Sequence, residues 1–314
     1  MYKVGKAKIE IDCFVSKVGM MGYGMHYNKV KNQHSPLFTR CVCIQKGGNT
    51  IVYTCSEIMA ISQAVRSEVI KRLKENKATR FLDERFVMLT AQHTHSAPGG
   101  YFHFPLYNFS IPGFRENVYE NIIQSIINAI QEALSEMKER KLFYGKDSFK
   151  ADEKIGWNRS IKAYNKNLEN KKYSSSECHL AINRNMDSLL FADTNNEVKE
   201  TINWFGLHTT CVGNKNKSIS SDSYGYAASL MEKEIEFSIF SQAAAGDISP
   251  YYNGIGEKQK RKKIAGKKEY VFAQKKGAKL FQKAKEIAFE NFKKSSPIKG
   301  DIDADLIYID LANI

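Results

Sequence analysis

The stretch Thr90-Ala91-Gln92-His93-Thr94-His95-Ser96-Ala97-Pro98-Gly99-Gly100-Tyr101 holds two imidazoles two residues apart. It follows an apolar run, Phe86 to Ala91, that reads as a buried strand, and it opens into a turn rich in Ser, Pro and Gly. Residues i and i+2 of an extended backbone face the same side, so both rings can enter one pocket at the strand's end. Neutral imidazole is the commonest protein ligand for zinc, which makes the pair a candidate metal site. The same spacing also occurs in surface or hydrogen-bonded histidines, so the pair alone leaves both readings open.

Three further stretches sit at strand-to-loop junctions. Trp204-Phe205-Gly206-Leu207-His208-Thr209-Thr210 ends a second apolar run in a histidine. Ile239 to Ala245 leads into Gly246-Asp247-Ile248-Ser249-Pro250, and Gly156-Trp157-Asn158-Arg159-Ser160 lies in a polar loop. Polar groups gathered at strand ends are how a mixed α/β domain builds an active site. His208 alone reads more readily as a core histidine; with His93 and His95 it suggests a shared zinc pocket.

Taken in order, these segments resemble the neutral (alkaline, non-lysosomal) ceramidases, and specifically their N-terminal catalytic domain. The resemblance begins at Met20-Met21-Gly22-Tyr23-Gly24 and passes through His34, Arg40, the His93-to-Tyr101 block and Leu106-Tyr107-Asn108. It continues through Asn158-Arg159-Ser160 with Ala163-Tyr164, Trp204-Phe205 with His208, and Ser221-Asp222 with Gly225-Tyr226-Ala227-Ala228. Gly246-Asp247-x-Ser249-Pro250 and Tyr308-Ile309-Asp310 close it. Each match is short, and their shared order carries the resemblance. It implies that His93 and His208 ligate Zn2+, that His95 lies beside the water the metal activates, and that Arg159 holds the substrate. Ser249 falls at the implied catalytic centre. The implied reaction is hydrolysis of the amide of an N-acylsphingosine (ceramide) to a fatty acid and a sphingoid base.

The chemistry of the residue types agrees with that implication. An amide carbonyl is a poor electrophile and water a poor nucleophile; zinc polarises the first and lowers the pKa of the second to about 7. A neutral His95 can take or return a proton, whereas Arg159, permanently charged, can only position substrate or stabilise charge. Ser249 could attack the carbonyl, but no GxSxG elbow surrounds it and spacing assigns it no base, so a hydrogen-bonding role is preferred. Ordinary turn chemistry is the remaining reading of Gly246-Asp247 and Ser249-Pro250.

Some positions depart from the family's pattern. Ala97 stands where the family usually has Gly, Tyr251 where it has Asn, and Ser223-Tyr224 where it has Asn-Lys. The family completes its zinc shell with a glutamate and a tyrosine beyond the Tyr-x-Asp strand, and neither is assignable before Ile314. The expectation is an N-terminal catalytic region whose missing ligands come from a separate C-terminal segment, or from a local carboxylate such as Asp222 or Asp247. With two ligands where a catalytic zinc normally has three, the 314 residues alone are expected to hold zinc weakly and turn over slowly.

The elements that must position these residues read as an α/β fold, a mixed β-sheet core layered with helices in one large catalytic-type domain spanning residues 1–314. Strands are expected at Cys41–Gln45, Thr50–Cys55, Phe86–Ala91, Ser188–Ala192, Thr201–Leu207, Ser238–Ala243 and Leu306–Leu311, several apolar enough to be buried on both faces. Helical stripes lie between them. Ile61, Val65, Val69 and Leu73 form one; Val118, Ile122, Ile126, Ile130 and Leu134 form a longer one. In a late helix Val271, Lys275 and Lys279 face away from Leu280, Ala284 and Ile287. Asn165 to Glu177 is a polar connector suited to a linker or lid.

Lys and Arg number 47 against 34 Asp and Glu, a formal charge of +13, with lysines concentrated at 162–172 and 258–276. No nucleic-acid motif accompanies them, so a nucleic-acid partner is not expected. A solvated basic surface is the favoured account, and peripheral attraction to an anionic membrane the second. No apolar run reaches the roughly 18 residues that span a bilayer. The N-terminus has charge without a following hydrophobic segment, so no secretory signal is read. The six cysteines form no CxxC pair and read as reduced core residues, Cys41-x-Cys43 included. Cytoplasmic placement is therefore expected, with a secreted form left open. The function carried forward is a zinc-dependent amidohydrolase acting on a ceramide-like lipid amide. Its alternative is an inactive family member that binds a lipid or partner without turnover.

Overall fold

Alternation of inward apolar and outward polar side chains makes the first nine-residue strand, with Tyr2, Val4 and Ala7 buried and Lys3 exposed. The computed structural model describes residues 1–153, 155–251 and 264–310. Its strands are β1 (Tyr2–Glu10), β2 (Asn32–Gln33), β3 (Phe38–Lys46), β4 (Asn49–Ser56), β5 (Val87–Ala91) and β6 (Lys138–Ser148), followed by β7 (Trp157–Asn158), β8 (Asn185–Ala192), β9 (Val198–Phe205), β10 (Ser218–Ile219), β11 (Phe237–Gln242) and β12 (Ile248–Ser249). The helices are α1 (Gln63–Glu75), α2 (Pro105–Asn108), α3 (Glu116–Ser135), α4 (Ile161–Tyr164), α5 (Asp222–Met231) and α6 (Lys267–Glu286).

Eight strands form one mixed sheet in the order β11-β9-β8-β6-β1-β3-β4-β5. The central pairs are antiparallel and the two outer pairs, β4–β5 and β9–β11, are parallel. Parallel neighbours need a crossover, supplied by α1 between β4 and β5 and by α5 between β9 and β11. Along the sheet the strand directions leave β5 and β9 running opposite ways. Adjacent strands twist by roughly 20–25°, so crossing most of the sheet rotates one end nearly halfway round relative to the other. The sheet folds over on itself and its ends meet: Tyr53 OH donates to Ser241 Oγ at 2.7 Å and Trp204 Nε1 to Tyr53 OH at 2.8 Å.

Three apolar clusters show the resulting layers. Cys41, Cys43 and Val52 face α1 and α3, while Val42, Ile44 and Tyr53 from the same strands meet Ile202 and Ile239 from the other end of the sheet. Leu190 and Phe205 face α5 and α6 on the far side. Cys41 and Cys43 are wholly buried with their sulfurs 3.8 Å apart, a packed pair on one strand face.

The helical stripes are where periodicity puts them: Val65, Val69 and Leu73 are buried in α1, Val118, Ile122, Ile126 and Ile130 in α3, and Leu280 and Ala284 in α6. Two strands were not anticipated. In β1 and β6 the interspersed lysines hide the alternation, and Gly5 permits α3 to lie so close that a Cβ there would fall 1.7 Å from the Ala133 carbonyl oxygen. The strand expected at Leu306–Leu311 is a correction. Residues 306–310 carry no regular structure, Ile307, Tyr308 and Ile309 are exposed, and Leu311 lies outside the described residues. An apolar run becomes a strand only where another strand meets its hydrogen-bonding edge, and no described strand does so here. Lys276 also departs from the solvated-surface reading: it is buried and donates to the Ile155 carbonyl at 2.6 Å. Lys258 to Arg261 and Lys262 to Lys263 lie outside the described residues.

Candidate metal centre and active site

The end of β5 is tied to β4 before it turns into the site. Gln92 N donates to Ser56 O and His93 N to Ile58 O, both at 3.0 Å. His93 then adopts a left-handed backbone, φ 72°. The two rings of His93 and His95 therefore meet through a turn beyond the strand, and not through simple strand alternation. Thr209 Oγ1 donates to the carbonyls of Gln92 and His93, and His95 N reaches Thr209 O at 3.4 Å, so the β5 and β9 loops are laced together.

On the other side, β12 pairs antiparallel with β7, placing Ser249 opposite Trp157 and Ile248 opposite Asn158. This two-residue ladder joins the Gly156–Ser160 and Gly246–Pro250 segments. Arg159 N donates to Asp247 O at 2.8 Å, and Arg159 Nη2 to Gly246 O at 2.6 Å. His208 N donates to Ile248 O at 3.0 Å, which hangs the β9 loop on the same ladder. Gln242, at the end of β11, donates through Nε2 to Gln92 O at 2.9 Å and Leu207 O at 2.8 Å. It is the direct link between the strand that carries His93 and the strand that carries His208.

Three ring nitrogens converge. His95 Nε2 lies 3.2 Å from His93 Nε2 and 3.1 Å from His208 Nε2, and the His93 and His208 ring centroids are 4.6 Å apart. His93 Nδ1 sits 2.7 Å from Met59 O and His208 Nδ1 3.2 Å from Ala245 O. A carbonyl only accepts, so both Nδ1 atoms carry the proton and both Nε2 atoms present lone pairs to the same point. One His95 Nε2–H cannot satisfy two acceptors at once, and the buried His95 Nδ1 has no hydrogen-bond partner. A shared cation is the group that relieves converging lone pairs. Among the described residues, His93, His95 and His208 are the cluster able to hold a metal ion.

Electrostatics keep the rings neutral. Burial lowers the proton affinity of all three, and the neighbouring rings and Arg159 lower it further; His208 falls to about 4 and His95 to about 2. Neutral imidazole is the ligating form. The site lies in a cleft of about 1470 Å³ whose lining includes all three histidines, Arg159, Ser249 and Trp157.

The cleft thus brings together each of the five residues singled out in the sequence. Ser249 is buried; its Oγ accepts from Tyr251 N at 3.3 Å, and no base touches it among the described residues. The two local carboxylates are engaged elsewhere. Asp222 is fully buried and accepts from the amides of Val212 and Ser223, and Asp247 Oδ2 accepts from Asn158 Nδ2 at 2.7 Å. The third nitrogen beside His93 and His208 is supplied by His95. The connector at 165–177 is no detached linker: Asn165 brackets the Tyr173 backbone through both ends of its amide, and Ser175 lines the cleft. Missed in the sequence were Gln242, Thr209 and the carbonyls of Met59 and Ala245, because a backbone acceptor has no residue-type signature. Gly22 was seen only as part of a motif; a Cβ there would fall 2.5 Å from His95 Cγ, and the Tyr23 ring packs edge-on against His95 at 4.7 Å.

A sequence model described as neutral/alkaline non-lysosomal ceramidase, N-terminal, matches residues 2–314. The chain belongs to this family. Neutral ceramidase of Pseudomonas aeruginosa is 31% identical, with 100% of this chain matched to 45% of that protein. Neutral ceramidase of Mycobacterium tuberculosis is 26% identical over 100% of this chain and 49% of its own length. Among solved structures, neutral ceramidase from Pseudomonas aeruginosa superposes with a TM-score of 0.80 at 32% identity, covering 92% of this chain and 45% of that one. A ceramidase complexed with C2 gives 0.81 at 32% identity over 92% and 44%. The chain spans less than half the length of each of these ceramidases.

Proposed function

We propose that the chain is the zinc-binding, N-terminal part of an amidohydrolase that cleaves the amide of an N-acylsphingosine to a fatty acid and a sphingoid base. The observation that supports this most directly is the convergence of His93, His95 and His208 through Nε2, two of them with fixed tautomers, in the cleft that Arg159 and Ser249 also line. His93 and His208 would hold the zinc, since each is oriented by a backbone carbonyl as metal-ligating histidines generally are. When bound, zinc supplies Lewis acidity toward the amide carbonyl and lowers the pKa of water to about 7. His95 has no carbonyl fixing its tautomer, so its uncharged ring is free to carry a proton at Nδ1 or at Nε2. Arg159, anchored by the Gly246 carbonyl, positions the substrate by charge, and the Ser249 hydroxyl is a donor toward the reacting group. Trp157 and Ile161 offer apolar wall for an acyl chain.

Elemental analysis of the purified chain, with fatty-acid release from a fluorescent short-chain ceramide, tests this reading. Chelator-sensitive hydrolysis restored by zinc is the expected result. Zinc bound without turnover would favour a lipid-binding role instead, and neither binding nor turnover would end the proposal. Peripheral contact with an anionic membrane belongs to the same reading, supported by the net charge of +13. So does cytoplasmic placement, supported by six reduced, buried cysteines; recovery of the native chain outside the cell would refute it.

A further inference from the structure

Charge along the cleft is lopsided. Among the described lining residues, Arg159, Lys215, Lys217 and Lys267 are cations and Glu269 is the acid. Glu269 is buried behind Gly213, whose Cβ would come within 2.6 Å of Oε1, so it sits in the wall and away from the open space. Lys215 and Lys267 are exposed, and neither makes an ion pair with a described residue. Lys217 reaches the Tyr27 carbonyl and Arg159 the Gly246 carbonyl, neutral acceptors that leave both charges uncompensated. The lysine-bearing wall is built from two segments packed together, the loop after Val212 and the first turn of α6, joined by Tyr270 OH donating to Asn216 Oδ1. A cleft wall that gathers cations raises the local concentration of anions, most strongly where low-dielectric walls focus the field. The uncharged head of an N-acylsphingosine gives these cations nothing to pair with.

Resting on the amidohydrolase reading, we propose that the substrate bears an anionic head group: an N-acyl amine whose amine half carries a carboxylate or phosphate, as in an N-acyl amino acid. The acyl chain lies along Trp157 and Ile161, and the head faces Lys215 and Lys267. Binding can be read apart from reaction, because Trp157 lines the cleft while the other tryptophan, Trp204, is tied to Tyr53 in the sheet. The full chain, kept metal-free with a chelator, is titrated with monomeric N-lauroylglutamate and with neutral N-lauroylethanolamine while tryptophan fluorescence is followed. The anionic ligand is expected to bind roughly tenfold more tightly at low salt, with the advantage shrinking at about 0.5 M salt as the charges are screened. A Lys215→Gln/Lys267→Gln variant, checked for folding by circular dichroism, should lose the preference and keep binding of the neutral amide. Equal affinities, or a preference untouched by the double substitution, would overturn the proposal. A response to anionic vesicles without one to the monomeric ligand would also overturn it, assigning the lysines to a membrane. A binding preference that persists when neither amide is hydrolysed after zinc is restored would sink the amidohydrolase reading and leave the anionic-ligand site standing.

Discussion

Gly22→Ala is the sharpest single test of how the histidine cluster is built. Gly22 has φ 119°, and an added Cβ would lie 2.5 Å from His95 Cγ and 2.6 Å from Nδ1, where 3.4–4 Å is ordinary contact. The ring must retreat by about 1 Å, several times the roughly 0.2 Å tolerance of a metal-ligand distance. Backbone strain adds about 1–3 kcal/mol, and overpacking a further 1–3 kcal/mol. Gly24 is the internal control, since it also has positive φ, 66°, but a Cβ there would meet nothing within 4 Å. Gly24→Ala should therefore carry backbone strain alone. Chelator competition should show zinc affinity reduced about tenfold or more in Gly22→Ala, equivalent to about 1.4 kcal/mol, and near parental in Gly24→Ala. Urea denaturation should show the larger stability loss in Gly22→Ala. Parental zinc affinity in Gly22→Ala, together with stability no worse than Gly24→Ala, would refute the claim that Gly22 makes room for His95.

Gln242→Leu removes the donor shared by Gln92 O and Leu207 O; it should destabilise by roughly 2–4 kcal/mol as buried acceptors lose their partner and weaken zinc retention, and a variant with unchanged melting and zinc content would count against the strand-bridging role. Glu57→Ala strands the buried Arg40 beside Glu232, for an expected loss of about 3–5 kcal/mol in denaturant titration, with a loss under about 1 kcal/mol arguing that the pair is not buried. For the metal-free chain, His208 and His95 are held near 4 and 2 in the folded state against about 6.5 unfolded. Below pH 6.5 the unfolded chain binds protons that the folded rings refuse, so stability is full above that pH and falls as pH drops. The loss is about 1.4 kcal/mol per pH unit per ring, or roughly 4 kcal/mol at pH 5, and a flat profile from pH 7 to 5 would show that the rings are not buried as described.

Much of this protein is legible in residue order. The stripe Val118-Ile122-Ile126-Ile130 specifies α3 because a period near 3.6 puts those side chains on one face, and the near-continuous apolar runs at β4, β9 and β11 specify strands buried on both faces. His93, His95, His208, Arg159 and Ser249 were selectable because side-chain chemistry is written in residue type. Failures came where the determinant is not local. The apolar run at 306–310 has strand propensity without a paired edge, and the lysines of β1 and β6 conceal strands that exist because their neighbours complete the ladder.

The convergence of the site belongs to the tertiary structure. His93 follows β5 and His208 follows β9, strands at opposite ends of the sheet order, and accumulated twist must fold the sheet before their Nε2 atoms can face one point. The partners that fix the tautomers are the carbonyls of Met59 and Ala245, groups that every residue carries and no sequence pattern can single out. Composition likewise supplied the excess of lysine, but only packing of the loop after Val212 against α6 decided that Lys215 and Lys267 line the same cleft as the histidines. Residue types determine which chemistry is available, whereas chain reversal over long sequence separations determines which of those groups come within a bond's reach of one another.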